Sequence, residues 1–236
     1  MRIEAVAGGG IAERGAAHIA AVLRSSVAAR GRVTVAFSGG STAGPLLQAL
    51  ADADVPWSAV HVLQVDERVA PEGHPDRNLT TLRRRFIDCV PLPPDQLHAM
   101  PVDASDLDAA ADRYAGTLQD LAGRPPRLDF IHLGLGTDGH TASLLPGSPL
   151  LSTGAPVGVT AAYRGRRRMT LTLPVLSDAR HVLWFVRGAD KAAMVRRLVD
   201  GDPTIPAGKV EPSRALLLLD PPAATALPSQ VSGEAP

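Results

Sequence analysis

The chain has 236 residues, of which 45% are hydrophobic and 20% charged; these ordinary globular proportions exclude a largely disordered chain. Its 24 Lys and Arg balance 24 Asp and Glu, and aromatics make up 3%, so there is neither a long-range field nor a stacking platform to suggest nucleic acid, nor a charge to draw the protein to an acidic membrane. One cysteine, Cys89, excludes an internal disulfide and any cysteine-cluster metal site; no run reaches the ~18 apolar residues of a membrane span, and Met1-Arg2-Ile3-Glu4 lacks the apolar core of a secretion signal, so the expectation is a soluble cytoplasmic protein.

In chain order, Ile11–Arg30 carries apolar residues at Ile11, Ile19, Val22, Leu23 and Val27 with polar ones between, the pattern of an amphipathic helix ended by Gly31. Val33–Phe37 is a short buried-type strand, followed by Ser38-Gly39-Gly40-Ser41-Thr42 and a helix from about Pro45 to Ala51. Val60–Val65 reads as a second strand ending in Asp66-Glu67-Arg68. After a loop through Pro71, Gly73 and Pro75, Asn78–Asp88 is predicted helical, and so is Asp106–Leu121, whose Leu107, Ala110, Tyr114 and Leu118 share a face. Leu128–Leu133 is a third strand, leading into Gly134-Leu135-Gly136. Met169–Leu173 alternates and is expected to pair in the sheet. His181–Val186, Asp190–Val199 and Ala215–Leu219 follow as strand, helix and strand. The Pro/Ala/Ser-rich stretch 221–236 is expected to be a frayed tail after a single α/β domain over 1–220.

Strands alternating with helices imply a mainly parallel sheet covered on both faces, and ligands of such sheets gather at the carboxyl ends of the strands. The glycine-rich and polar segments after Phe37, Val65 and Leu133 lie there. Ser38–Thr42 combines two glycines with a helix start and hydroxyls, which suits either a phosphate cradle or an N-capped tight turn; without a following Lys it is not a P-loop. Gly134-Leu135-Gly136-Thr137-Asp138-Gly139 matches G-x-G-x-x-G, but no acidic residue stands about 20 positions on, as a dinucleotide site requires.

His140 is the histidine whose setting suits general-base work, at a strand end and two residues after Asp138. The other histidines read as structural. Asp66-Glu67-Arg68 is either a solvated charge cluster or a carboxylate and a guanidinium aimed into a pocket. Arg166-Arg167-Arg168 reads as a basic run whose last member could face an anion, and Lys191 as helix decoration at a turn. No metal-ligand spacing and no G-x-S-x-G elbow occurs.

Five stretches in order resemble the glucosamine-6-phosphate isomerase/6-phosphogluconolactonase family. They are Val35–Thr42, Val65–Pro71 with Asn78, Leu133–Gly147, Arg168–Pro174 and Gly188–Lys191, spanning roughly residues 33–220. The resemblance implies a Rossmann-like α/β/α three-layer sandwich of the NagB/RpiA type. It implies hydrolysis of 6-phospho-D-glucono-1,5-lactone to 6-phosphogluconate, the second step of the oxidative pentose phosphate pathway, with no cofactor and no metal. It places His140 as catalytic base, with Asp138 as one candidate to orient it. It places Ser38, Gly39, Gly40, Ser41, Thr42, Arg68, Arg168 and Lys191 around the phosphate or lining the site, with Asp66 and Asn78 at motif positions. The implied partner is the small sugar-phosphate lactone alone, with neither nucleic acid nor membrane, in a monomer or homodimer.

The sequence departs from the family's pattern at Arg77, where Ser is usual, at Leu145, where Phe is usual, and at Ala43-Gly44, which precede Pro45. The sister deaminases carry a Glu at the position of Leu145. An alkyl side chain cannot move a proton, and losing a positioned acid/base group removes ~10²–10⁴-fold of rate. Lactone hydrolysis needs only a base, a water and an oxyanion partner, so the sequence favours the lactonase over a sugar-phosphate isomerase or deaminase. A non-enzymatic sugar-phosphate sensor would be expected to carry a helix-turn-helix segment, for which there is no room ahead of Val33 or after Asp220.

Overall fold

The computed structural model describes residues 1–7, 9–40 and 42–228. A seven-stranded, all-parallel sheet runs in the order β1 (Arg2–Ala5), β10 (Ala215–Leu219), β9 (His181–Val186), β6 (Phe130–Leu133), β2 (Val33–Phe37), β3 (Val60–Gln64), β5 (Leu97–His98). Its inner strands are near-continuous apolar runs because both faces are covered. In β10, Leu216 and Leu218 pack under α1 (Ile11–Arg30), α2 (Ala43–Ala51) and α3 (Asn78–Arg85). Ala215, Leu217 and Leu219 pack on the other face against α4 (Leu107–Ala122), α5 (Leu173–Asp178), α6 (Ala192–Val199) and α7 (Pro221–Ala224). This is the three-layer α/β sandwich that the alternation of elements implies.

The chain winds outward from β2 through β3 to β5, then returns to the opposite side of β2 with β6 and continues through β9 and β10. Between β2 and β6 the winding reverses, and the loops leaving their carboxyl ends diverge to opposite faces. That divergence opens a crevice at the sheet's rim. The two glycine-rich segments are the loops in question.

A second sheet, antiparallel, consists of β4 (Asp66–Arg68), β8 (Arg168–Leu171) and β7 (Val157–Val159), with β8 in the middle. This corrects two sequence expectations. Asp66-Glu67-Arg68, expected only as the polar end of the Val60–Val65 strand, form a strand of their own in this second sheet: the Val65 N–H donates to Phe37 O (3.0 Å), while the Val65 carbonyl accepts from Leu171 N–H (2.8 Å), so one residue stitches both sheets. Met169–Leu173 does not join the main sheet; β8 pairs with β4 and β7, and Pro174 sits in the first turn of α5. The chain also stays packed beyond Asp220. The Asp220 carboxylate caps α7 at Ala223 N–H (3.0 Å) and holds Gly188 N–H (3.0 Å), while Ala223, Ala224 and Leu227 are buried. The remainder of the expected tail, 229–236, lies outside the described residues.

Candidate active site

The loop after β2 turns at Gly40 (φ 102°) and enters α2. The amides of Gly39, Gly40 and Thr42 donate no hydrogen bond among the described residues, and Thr42 holds the N-cap position without using its hydroxyl. These donors and the positive helix end are what an anion needs. Ser38 is differently employed: its hydroxyl donates to His132 O (2.9 Å), so that proton is committed to the fold. Ser41 lies outside the described residues. Gly39 has no freedom to be anything larger, since a Cβ there would stand 2.0 Å from Asn78 Oδ1.

Beyond β6, the loop closes with Gly136 N–H donating to His140 O (2.8 Å) and Gly139 N–H to Gly136 O (3.1 Å). Asp138 Oδ1 accepts from the His140 backbone N–H (3.2 Å) and meets His140 Nδ1 at 2.5 Å. An ionised carboxylate only accepts, so Nδ1 carries the proton and Nε2 is left with its lone pair. Burial alone would raise the Asp138 carboxyl, but the hydrogen bonds and charge of His140 outweigh it and hold that carboxyl below its ordinary value. Of the carboxylates the sequence left open, Asp138 is the one that meets the His140 ring. Gly136 makes room for the pair: a Cβ there would fall 2.0 Å from His140 Nδ1 and 2.6 Å from Asp138 Oδ1.

The small sheet supplies the third wall. Asp66 accepts from Ser143 Oγ (2.6 Å) and Asn78 Nδ2 (3.2 Å). Arg68 and Arg168 face each other across β4 and β8. Burial lowers the Arg168 guanidinium's proton affinity, with nearby Asp66 opposing the shift; a guanidinium remains charged regardless. Glu67 points the other way and is fully buried. Its carboxylate accepts from Gln64 Nε2 (2.8 Å) and from the N–H groups of Arg68 (2.7 Å), Asn78 (2.6 Å) and Leu79 (2.8 Å). Glu67 therefore anchors the N-terminus of α3 and, through it, Asn78. Arg77, the departure from the family pattern, is buried beside it: Nε lies 3.3 Å from Glu67 Oε2, close enough for charge though misaligned for a hydrogen bond, and Nη1 donates to Ala70 O (3.1 Å).

These elements enclose a cavity of about 280 Å³ that Ser38, Gly39, Gly40, Thr42, Asp66, Arg68, Asn78, His140, Arg168 and Lys191 all line, together with Arg164 and Arg187. Asp138 stands behind His140. Lys191 sits in the single turn before α6, 3.5 Å from Asp190, and Arg187 is 3.8 Å from Asp220. Five cations thus share the cavity with the carboxylate of Asp66. A larger open groove of about 1,100 Å³ runs on between α1, α2 and α3, but its floor is alanine, its Glu13, Asp52, Arg84 and Arg85 are exposed, and it holds no histidine. The smaller cavity is where chemistry can be done. Among the described residues no group of three or more His, Cys, Asp and Glu side chains could hold a metal ion, and no helix is long and apolar enough to cross a membrane.

Sequence reasoning missed Glu67 as a buried anchor, Ser143 as the partner of Asp66, Arg164 and Arg187 at the cavity, and Tyr163 beside His140. Arg164-Gly165, a turn pair just ahead of the basic run, was a readable signal; the others depend on distant contacts.

A doubly wound α/β protein with a basic cleft and a carboxylate-held histidine at its switch point is the class that fold and site define. Residues 9–219 match the family described as glucosamine-6-phosphate isomerases/6-phosphogluconolactonase. A 6-phosphogluconolactonase of Synechocystis sp. is 37% identical over 214 residues, covering 88% of this chain and 89% of the relative. Among solved structures, a 6-phosphogluconolactonase from Thermotoga maritima superposes with a TM-score of 0.83 at 22% identity, covering 93% of this chain and 98% of that one. A monomeric glucosamine-6-phosphate deaminase of the NagB superfamily superposes with 0.85 at 17%, covering 96% and 100%. The chain belongs to the glucosamine-6-phosphate isomerase/6-phosphogluconolactonase family.

Proposed function

We propose that the protein hydrolyses 6-phospho-D-glucono-1,5-lactone to 6-phospho-D-gluconate, the lactonase step of the oxidative pentose phosphate pathway, in the cytoplasm. The observation that carries this reading is the His140–Asp138 pair, with Nε2 free, at the edge of a cavity holding five cations. The phosphate docks on the free amides of Gly39, Gly40 and Thr42 with Lys191 and Arg168; charge-assisted contacts of this kind contribute ~1.5–3 kcal/mol each. Docking sets C1 of the lactone before His140. Nε2 takes a proton from water as the water oxygen attacks C1, and Asp138 stabilises the imidazolium that forms. The carbonyl oxygen becomes an alkoxide, stabilised by a neighbouring guanidinium or backbone N–H. The C1–ring oxygen bond then breaks and the ring oxygen takes the proton back from His140. The resulting carboxylic acid loses its proton to solvent, so the base ends each cycle as it began.

The deaminase fold is the same, so the fold does not choose between the two activities. Leu145 supports the lactonase: it is half-buried, offers no proton and does not line the cavity. The test is a coupled assay on freshly generated 6-phosphogluconolactone, corrected for spontaneous hydrolysis, beside ammonia release from glucosamine 6-phosphate. Lactone turnover that falls ~10²–10⁴-fold in His140→Ala is expected. Unchanged kcat in that variant removes His140 from the base role, and ammonia release without lactone turnover refutes the reading.

A further inference from the structure

The hairpin between β7 and β8 reaches past the small sheet to the cavity. Thr160 N–H donates to Arg168 O (2.8 Å), and Tyr163 and Arg166 exchange backbone hydrogen bonds (2.9 and 3.3 Å). The tip is Arg164-Gly165, both left-handed at φ 51° and 78°, as a two-residue type I′ turn demands. Its first position normally takes Asn, Asp or Gly; a long cation there is unusual, and this one lines the cavity.

The neighbouring arginines are spoken for. Arg166 Nε donates to Asp76 (2.7 Å), and Arg167 Nε to Thr160 O (3.4 Å). Arg164 makes no hydrogen bond or ion pair with a carboxylate among the described residues. It lies 5.3 Å from the centre of the Tyr163 ring, and Arg168 lies 5.2 Å from the same centre. The ring also meets His140 edge-on, 6.4 Å between centroids. One half-buried aromatic ring thus touches two guanidinia and the imidazole. Its negative face attracts both cations and offsets their mutual repulsion.

Resting on the lactonase reading, we propose that the Tyr163-Arg164 tip is a specificity element of this site: Arg164 supplies a further guanidinium to the phosphate of the substrate, and Tyr163 is the positioning residue that holds Arg164 and Arg168 beside His140. A dianionic phosphate monoester is the ligand this suits, since it offers more acceptors than one or two cations satisfy. The exposure of Arg164 makes its contribution modest and sensitive to salt.

The experiment titrates 6-phosphogluconate, gluconate and inorganic phosphate into the wild type and into Arg164→Gln, Arg164→Lys, Tyr163→Phe and Tyr163→Leu, each checked for folding by circular dichroism. Kinetics on the phosphorylated and unphosphorylated lactones accompany the titrations. In Arg164→Gln, affinity for 6-phosphogluconate and phosphate should fall about three- to tenfold. KM for the phosphorylated lactone should rise by more than kcat falls, and Arg164→Lys should recover part of the loss. Tyr163→Phe, which keeps the ring, should behave like the wild type in these titrations, and Tyr163→Leu like Arg164→Gln. Wild-type affinity for both phosphorylated ligands in folded Arg164→Gln overturns the proposal, as does equal loss for gluconate and 6-phosphogluconate. Should the wild type fail to hydrolyse the lactone, the lactonase reading falls, while the titrations still decide whether Arg164 binds phosphate.

Discussion

Replacing Gly136 by Ala tests the His140–Asp138 pair without touching either residue. The backbone at Gly136 is not left-handed, so alanine brings no conformational strain. Its Cβ, however, would stand 2.0 Å from His140 Nδ1, 2.3 Å from Cε1 and 2.6 Å from Asp138 Oδ1. Non-bonded heavy atoms settle near ~3.5 Å, so the imidazole must retreat by roughly 1.5 Å, which parts it from the carboxylate. A misplacement of about 1 Å costs on the order of 10²-fold in rate, and kcat should fall by about that much. The half-buried ring can swing toward solvent, so the stability loss should be near the lower end of the ~1–3 kcal/mol typical of overpacking. That corresponds to a melting temperature lower by about 2–4 °C. Affinity for 6-phosphogluconate should stay within about threefold, because the cations are elsewhere, and ΔΔG of that size lies below 1 kcal/mol. The readouts are kcat in the coupled lactone assay, product titration and thermal melting. Wild-type kcat in a folded Gly136→Ala protein would show that the pairing does not matter to the reaction, and the proposed mechanism would fail with it.

Lys191→Ala should raise KM for the phosphorylated lactone about tenfold, as loss of one charge-assisted contact does, and barely alter kinetics on gluconolactone; equal effects on the two lactones would remove Lys191 from the phosphate. Arg77→Ala leaves the buried Glu67 carboxylate without its cation and should cost about 3 kcal/mol, seen as a melting temperature lower by ~6–12 °C; an unchanged melt would mean that the backbone N–H donors alone satisfy Glu67. His132 is buried with both ring nitrogens unpartnered among the described residues, and burial pushes it from 6.5 down to about 4. Its unfolded form takes up a proton as the pH falls through 6.5 while the folded form does not until about 4, so stability is flat above 6.5 and lost between 6.5 and 4, at up to ~1.4 kcal/mol per pH unit. Burial pushes His18, His61, His98 and His181 the same way; His132→Phe should therefore lessen the slope of urea midpoint against pH without abolishing it, and an unaltered slope would refute the assignment. Gly116 lies inside α4 with nothing within 4 Å of where a Cβ would stand; as Ala it should gain ~0.5–1 kcal/mol, read as a higher urea midpoint.

Much of the frame was legible because it is written locally. The apolar runs Val33–Phe37, His181–Val186 and Ala215–Leu219 are the strands β2, β9 and β10, and Gly31 ends α1 with its N–H on Val27 O (2.7 Å). What failed depended on distant partners. β1 is four residues of mixed polarity, and only its parallel pairing with β10 makes it a strand. The break at Val65 is invisible in a run whose residues suit either sheet, since periodicity does not say which neighbour takes a strand's hydrogen bonds. In the cavity, His140 and the glycine loops were readable from their places at strand ends. Glu67 was not: in Asp66-Glu67-Arg68 the two outer residues face the cavity and the middle one faces the interior, an alternation that any strand imposes. What makes a buried carboxylate tolerable is the set of N–H donors from Arg68, Asn78 and Leu79, two of them eleven and twelve residues away.

The cation cluster itself links fold to function. Arg68 and Arg168 are register partners across β4 and β8, and like charges directly opposite one another destabilise a sheet. Neither forms an ion pair within 4 Å with a carboxylate among the described residues, and the Nε atom of each is buried without a hydrogen-bond partner. A purely structural sheet would gain by replacing either arginine with a neutral residue. The arrangement becomes favourable once an anion spans the two, because the repulsion is then exchanged for charge-assisted hydrogen bonds in a site partly screened from water. Local cost of this kind, held by a surrounding structure that over-determines it, is characteristic of binding sites. The small antiparallel sheet thus has a reason to exist beside the larger one: the parallel sheet provides the amides and the histidine at its switch point, and the added strands bring two guanidinia to another wall of the same cavity.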